Sequence, residues 1–338
     1  MKRSLLIGIY SVLTALLISC SSEELEQSQN TESPADFMEH TKLPVTENSK
    51  QFGTYNALGY GYNVTGEYGN VNAIGLQVID TDKFNAEYRN IDEEQVSSAE
   101  YKEQYGKDAA AYSTVLSGKV AATQSLRMFG KTIYSAFGTA LLSDQTFNPE
   151  YIYGSRNATI RLSRYRFFAT ASELSHYVTP GFLQDIQTKT PEQIVSEYGT
   201  HITTDIYIGA KIDILFQAKT TNPDRERAAS IGIKTGFEPN SIDARDAAKN
   251  YDKKVYYRTR GGDISEAMAG IYSFSGKAPT IEIGKWQSTC TRKNAVLVDF
   301  GDHGLVIIYD LVKDPQKKAL LKAYVDDYLN KNQVILKS

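Results

Sequence analysis

Tyr198-Gly199-Thr200-His201-Ile202-Thr203-Thr204-Asp205-Ile206-Tyr207-Ile208-Gly209-Ala210 decides how this chain is read. With Ile212, Ile214, Leu215 and Phe216 behind it, the stretch is rich in β-branched and aromatic residues and partly alternates polar with apolar, which predicts a strand. It is entered from a helix. Thr190 is a candidate N-cap, Pro191 suits the first helical position, and the helical pattern ends near Glu197. Gly209 inside the strand signals a bend or a close backbone approach. His201, beside Thr200 and Gly199, reads as a buried and hydrogen-bonded residue in preference to a catalyst, since buried polar groups find partners.

The same stretch resembles the signature of the membrane attack complex/perforin family: Tyr-Gly-Thr-His, an aromatic, six free residues and Gly-Gly. Tyr198, Gly199, Thr200, His201 and Gly209 fall at that spacing, whereas Ile202 stands in the aromatic position and Ala210 in that of the second glycine. Leu58-Gly59-Tyr60-Gly61-Tyr62-Asn63-Val64 is similar to the segment with which family members begin their fold; by itself it reads as part of a pair of strands with turns. Val255 to Arg260 is strand-like and runs into Gly261-Gly262, where the family's fourth central strand carries a glycine pair near its bend. The resemblance covers roughly residues 50–335. It implies an α+β fold, a bent four-stranded antiparallel sheet flanked by two helical clusters, as in perforin-like proteins and cholesterol-dependent cytolysins. It also implies that the signature residues act through geometry, with Gly261 and Gly262 as a hinge, and leaves no chain for a separate C-terminal receptor-binding domain.

The amino end indicates where such a protein works. Lys2 and Arg3 precede an apolar run from Leu5 to Ile18, too short for a membrane span, and Leu17-Ile18-Ser19-Cys20 resembles a bacterial lipobox. Residues 1–19 are therefore expected to be a signal peptide and Cys20 the lipidated first residue, a membrane anchor. Polar residues from 21 to about 50, with Pro34 and Pro44, read as a flexible stalk, and residues 51–338 as the folded domain. The acidic residues behind Cys20 resemble the export signals of outer-surface lipoproteins of gut bacteria, implying display on the outer membrane or release in vesicles. Loss of residues 1–19 turns the 37 basic residues into 35 against 40 acidic ones, a formal charge of −5, so the composition offers no nucleic-acid surface. With Cys20 lipidated, Cys290 has no partner for an intrachain disulfide, and stability must come from the core.

Two segments qualify as stored membrane hairpins. From Thr114 to Met128, Leu116, Val120, Leu126 and Met128 share one face of a period-2 pattern whose other face is small or cationic. An ordinary half-buried strand would look the same. From Asn222 to Lys254, Ala229, Ile231, Ile233, Thr235 and Phe237 alternate with Ser230, Gly232, Lys234, Gly236 and Glu238, but the return half is heavily charged. Residues 82–112, charged and tyrosine-bearing, read as one or two surface helices. Residues 149–170, with arginines among aromatics, read as a long twisted strand. A helix is expected from Pro315 to about Leu329, with Ala319, Leu320, Ala323, Tyr324 and Tyr328 recurring at helical spacing.

Three functions compete. The resemblance, specifically to lipoprotein antimicrobial toxins of gut bacteria, implies a pore former that oligomerises into a ring or arc and inserts hairpins into a target membrane, with a protein or glycan receptor. The charged return half favours the same fold used without lysis, in adhesion, colonisation or binding of a surface glycan or protein. An enzyme finds little support: Asp299, Asp302 and His303 lie close together, but no Gly-x-Ser-x-Gly, His-Glu-x-x-His or paired-cysteine motif occurs, and no cofactor or metal is expected.

Overall fold

The computed structural model describes residues 36–45, 50, 52–88, 91–112, 146–147, 150–236, 242–332 and 335–336. In chain order the strands are β1 (Met38–Lys42), β2 (Tyr60–Tyr62), β3 (Ile74–Gln77), β4 (Ile91–Gly106), β5 (Thr146–Phe147), β6 (Ile152–Phe167), β7 (His201–Thr203), β8 (Asp205–Thr220), β9 (Asn250–Arg260), β10 (Ala269–Phe274), β11 (Val296–Phe300), β12 (Leu305–Ile307) and β13 (Ile335–Leu336). The helices are α1 (Thr81–Tyr88), α2 (Ala171–Leu174), α3 (Pro180–Thr188), α4 (Pro191–Tyr198), α5 (Arg225–Thr235), α6 (Ala244–Ala247), α7 (Gly284–Ser288) and α8 (Pro315–Lys331). Four long strands in the order β4-β6-β8-β9, all antiparallel, form the centre of the main sheet. β10 and then β1 extend it beyond β9, and β11 lies against β8. A smaller sheet runs β12-β7-β2-β3, and β13 pairs parallel with β5.

β8 organises the interior because its alternation is nearly unbroken. Ile206 and Ile208 belong to one core, with Phe182, Ile194, Val195, Leu321 and Val325. Further along the same period-2 face, Ala210, Ile212, Ile214, Phe216 and Ala218 belong to a second core with Ala228, Ala229, Ile233 and Trp286. One strand face thus serves two cores, each isoleucine or phenylalanine contributing roughly 1.5–3 kcal/mol by burial.

Four expectations need correction. Residues 82–112 hold α1 but chiefly the 16-residue strand β4. Its acids face arginines of β6 rather than water alone: Asp92 meets Arg166 at 2.8 Å, Glu100 meets Arg161 at 2.5 Å and Glu103 meets Arg156 at 3.0 Å. Opposite charges across a ladder stabilise it modestly, and charge on an end strand discourages further pairing. Met38–Lys42, within the expected stalk, is the outermost strand, and Leu43 N donates to Ala269 O at 3.0 Å. All five β1 side chains are exposed, and besides the backbone ladder His40 stacks on Tyr272 and lies 2.9 Å from Tyr257 Oη.

The alternating start of the second segment is a helix, α5, capped by Asp224, whose carboxylate accepts from Arg227 N at 3.0 Å. Ala228, Ala229, Gly232 and Ile233 form its buried stripe, at helical rather than strand spacing. Finally, α8 starts at Pro315 as expected, but buries Leu321, Val325 and Leu329. Ala319, Leu320 and Ala323 face water, Leu320 at 60% exposure, while Tyr324 and Tyr328 pack partly against the core. Among the described residues no helix is long and apolar enough to cross a membrane.

Candidate functional site

The signature residues form a backbone knot. Thr190 caps α4 with a capping box to Gln193, and Pro191 opens the helix, which delivers Tyr198 into a slot between two glycines. A Cβ on Gly61 of β2 would lie 1.8 Å from Tyr198 O, and one on Gly75 of β3 would lie 2.5 Å from Glu197 O. Gly199 turns the chain at φ +81°, and a Cβ there would meet Tyr62 and Asn63 backbone at 2.5 Å. Thr200 N donates to Tyr62 O at 3.0 Å, and Ile308 N donates to Thr200 O at 3.0 Å. β7 then pairs with β2 on one side and β12 on the other. Two of the three sequence segments that resemble the family, 58–64 and 198–210, therefore bond to each other. Tyr198 Oη donates to Asp185 at 2.7 Å and its ring sits edge-on to Phe182. His201 is buried, with Nδ1 3.0 Å from Thr200 Oγ1, and burial pushes its imidazole down to about 3. It is neutral at physiological pH, and among the described residues no carboxylate bonds it.

A second feature lies where β8 changes partners. Ile206 to Gly209 pair with β11, whereas Lys211 to Thr220 pair with β9. At the same level β6 slips register between Arg161 and Ser163, and β4 slips between Gln95 and Ser98. Bulges bend a strand and increase its twist, so aligned irregularities across the sheet mark a bend line. Gly209 permits the close approach predicted for it: a Cβ would lie 1.8 Å from Ile160 O. Gly261 and Gly262 follow β9 at φ +69° and +77°, and a Cβ on Gly261 would lie 2.5 Å from Gly209 O. Trp286 Nε1 donates to Gly261 O at 2.8 Å, and Gly262 N to Asn294 O at 3.2 Å.

Ion pairs fasten this corner. Arg260 donates to Asp213 at 2.6 Å and to Gly69 O at 2.7 Å, and Lys211 meets Asp213 at 3.0 Å. Arg258 pairs with Glu67, while Asp299 accepts from Tyr68 Oη and Arg161. Residues 67–69 thereby tie β9, and through Asp299 the β11 and β6 strands, to the body. Burial pushes the Asp213 carboxyl up, but Lys211 and Arg260 outweigh it and hold the group far below the ordinary carboxylate range. Burial likewise acts against the charge on Arg260, and Asp213 and Glu67 outweigh it. A depressed carboxylate stabilises the fold above its ordinary pKa and loses that contribution only as pH falls through the depressed value. Mild acid therefore leaves the corner fastened.

No family model and no curated protein matches the chain by sequence. Solved structures match it by shape. A MAC/perforin-domain protein of Bacteroides thetaiotaomicron superposes with a TM-score of 0.66 at 16% identity, over 85% of this chain and 63% of its own. The fold is that of the membrane attack complex/perforin domain. GNIP1Aa of Chromobacterium piscinae superposes with a TM-score of 0.62 at 15% identity, over 83% of this chain and 57% of its own. The chain spans less than two thirds of the length of either structure.

Within this MAC/perforin-like fold, Tyr198, Gly199, Thr200 and His201 come together in the knot, and Gly209, Gly261 and Gly262 at the corner. Ile233 is buried on α5 and Ile231 half-buried, so the helix separates two residues that a strand would put on one face. Cys20, Leu116, Val120, Leu126, Met128 and Phe237 lie outside the described residues. Asp299 is engaged by Tyr68 and Arg161, and His303 sits in a turn at φ +59° with its carbonyl accepting from Thr204. Among the described residues no three His, Cys, Asp or Glu side chains are grouped to hold a metal ion. Burial pushes the Cys290 thiol up to about 11. The ion pairs were not singled out from sequence. Their one signal is the pair of charges, Lys211 and Asp213, at alternate positions of an isoleucine-rich strand.

Proposed function

We propose that this chain is a surface-anchored, perforin-like pore former, an antibacterial toxin held to the outer membrane through a lipidated Cys20. Copies associate into a ring or arc on a target membrane. The sheet then opens at Gly261-Gly262, and residues 99–147 and 222–254 leave as β-hairpins, each needing strands of about 9–11 residues to span the bilayer. The reading assigns no catalysis to any residue. The observation that carries it is the bend line, where β4 and β6 slip register and β8 changes partner from β11 to β9, beside the glycine pair that ends β9. The seating of α5 supports it too, because in its buried stripe only Ile233 brings a large apolar side chain, Ala228, Ala229 and Gly232 adding little area.

A non-lytic adhesin or glycan- or protein-binding lipoprotein is the second reading, favoured by the charged return half: Asp246 pairs with Arg227 and Lys249, each at 2.8 Å. A disulfide between α5 and β6 separates the two. A Cβ on Gly154 would stand 3.2 Å from that of Ile233, near the usual disulfide separation of about 3.8 Å. The double variant Gly154→Cys, Ile233→Cys is expected to leak liposomes only when reduced. Equal leakage in both states rules out hairpin release. No leakage in either state, from wild type as well, with no rings by electron microscopy, favours the adhesin.

A further inference from the structure

Beyond the bend line the four long strands run in regular register, so their side chains stack in rungs across the sheet, alternate residues on opposite faces. On one face Glu100, Lys211 and Arg260 share a rung, and Lys102, Asp213 and Arg258 share the next. Two rungs further, Lys254 lies opposite Gln217. Two acids thus stand against five bases, a surplus of three positive charges on a chain whose total is negative. The other face of the same stretch carries Ile212, Ile214, Phe216 and Val255 of the second core, and its charges, Glu103 and Arg156, pair with each other at 3.0 Å.

The charged face is covered, Asp213 being 4% and Gln217 3% exposed, yet it is not built as a core. Gln104 and Gln217 each enclose an Oε1 that no donor among the described residues answers. Burying a polar atom unpaired is costly, and water would answer both. What covers the face is tied to it by polar and aromatic contacts: residues 67–69 through Arg258 and Arg260, and Tyr112 by stacking on Tyr153 with ring centroids 5.9 Å apart. Tyr112 belongs to the first of the two segments assigned to leave.

We propose that this face lines the channel of the assembled pore and makes it selective for anions. The proposal rests on the pore reading, under which departure of residues 99–147 and opening of the corner uncover the face. When sheets close side by side around water, the outward face meets lipid or the rest of the domain, whereas the inward face meets water alone. Ile212, Ile214 and Phe216 therefore belong outside and the charged rungs inside. A positive surplus repeated in every copy of a ring concentrates anions in the lumen.

The full-length protein would be inserted into planar bilayers under a potassium chloride gradient near 10 mM, where the Debye length is about 30 Å and the lumen feels its walls. The reversal potential is expected to take the sign of the chloride equilibrium potential, and to shrink in about 1 M salt, where the Debye length is about 3 Å. Lys102→Glu with Lys254→Glu, both outside the Asp213 and Glu67 ion pairs, turns the surplus negative and is expected to bring the potential to the sign of potassium. The milder pair Lys102→Gln with Lys254→Gln should reduce the chloride preference without reversing it, and Lys313→Glu, ahead of α8, should leave it unchanged. Pores that prefer potassium, that prefer neither ion at low salt, or that ignore both lysine pairs overturn the lining and leave the pore standing. Absence of any conductance overturns the pore reading itself, and the lining with it.

Discussion

The knot at Tyr198 and the corner at Gly261 are both built from glycines that let backbones nearly touch, yet they are closed in different ways. The knot is sealed by backbone hydrogen bonds on both flanks of β7, and its glycines are pinned between α4, β2 and β3. The corner is closed chiefly by side-chain ion pairs, with one Trp286 hydrogen bond and one backbone bond from Gly262 N to Asn294 O, beside a cavity. A backbone ladder breaks only by unfolding, whereas ion pairs exchange for water at a smaller net cost because both charges recover their hydration. The first arrangement is a permanent joint. On the proposed mechanism it is the second that opens, with the rest of the domain intact.

The largest effect is expected where the corner loses one charge without the other. Asp213→Ala strands both Arg260 and Lys211 and should cost about 4 kcal/mol in urea unfolding, while Asp213→Leu with Lys211→Met and Arg260→Met should recover most of it. Next comes the knot: Gly61→Ala drives a methyl into Tyr198 O and should cost about 3 kcal/mol, with leakage lost in proportion to folded protein. His201 makes the knot pH-sensitive. Its folded-state pKa is lowered, so the unfolded chain takes up the proton first, and stability should fall by about 2 kcal/mol between pH 7.5 and pH 5. His201→Asn should flatten that slope by the same amount, and an unchanged slope would place the histidine in water. Gly262→Ala, at φ +77° and with its Cβ 2.8 Å from Trp286 Nε1, should cost about 2 kcal/mol, but with leakage reduced well beyond the loss of folded protein. If leakage merely tracks folding there as at Gly61, the two glycine sets do the same job and the distinction fails.

How far these regions could be read from sequence follows from how local their physics is. The knot was legible because the Thr190 cap, Pro191 and the Gly199 turn declare themselves within a few residues. The glycine pair was equally visible. The charges of β4 misled, since acids balanced by arginines across a ladder look the same in sequence as acids facing water. β1 was hidden because an edge strand held chiefly by backbone bonds needs no apolar residue. Asp213 and Arg260 lie 47 residues apart and Glu67 and Arg258 lie 191 apart, so no spacing announced them. α5 is the instructive case: Ala229, Ile231 and Ile233 fit a strand, Ala228, Ala229, Gly232 and Ile233 fit a helix, and both patterns are written in one segment. On the proposed mechanism the segment takes two conformations and so has to satisfy both periods.

That double pattern is open to direct measurement. Spin labels at Glu226 and Lys234, both within α5, are separated by eight residues, about 12 Å along a helix and about 26 Å along a strand. The separation in solution should be the shorter one, and it should lengthen to the longer one on liposomes in step with leakage. A helical separation retained while liposomes leak would contradict the conversion on which the mechanism depends.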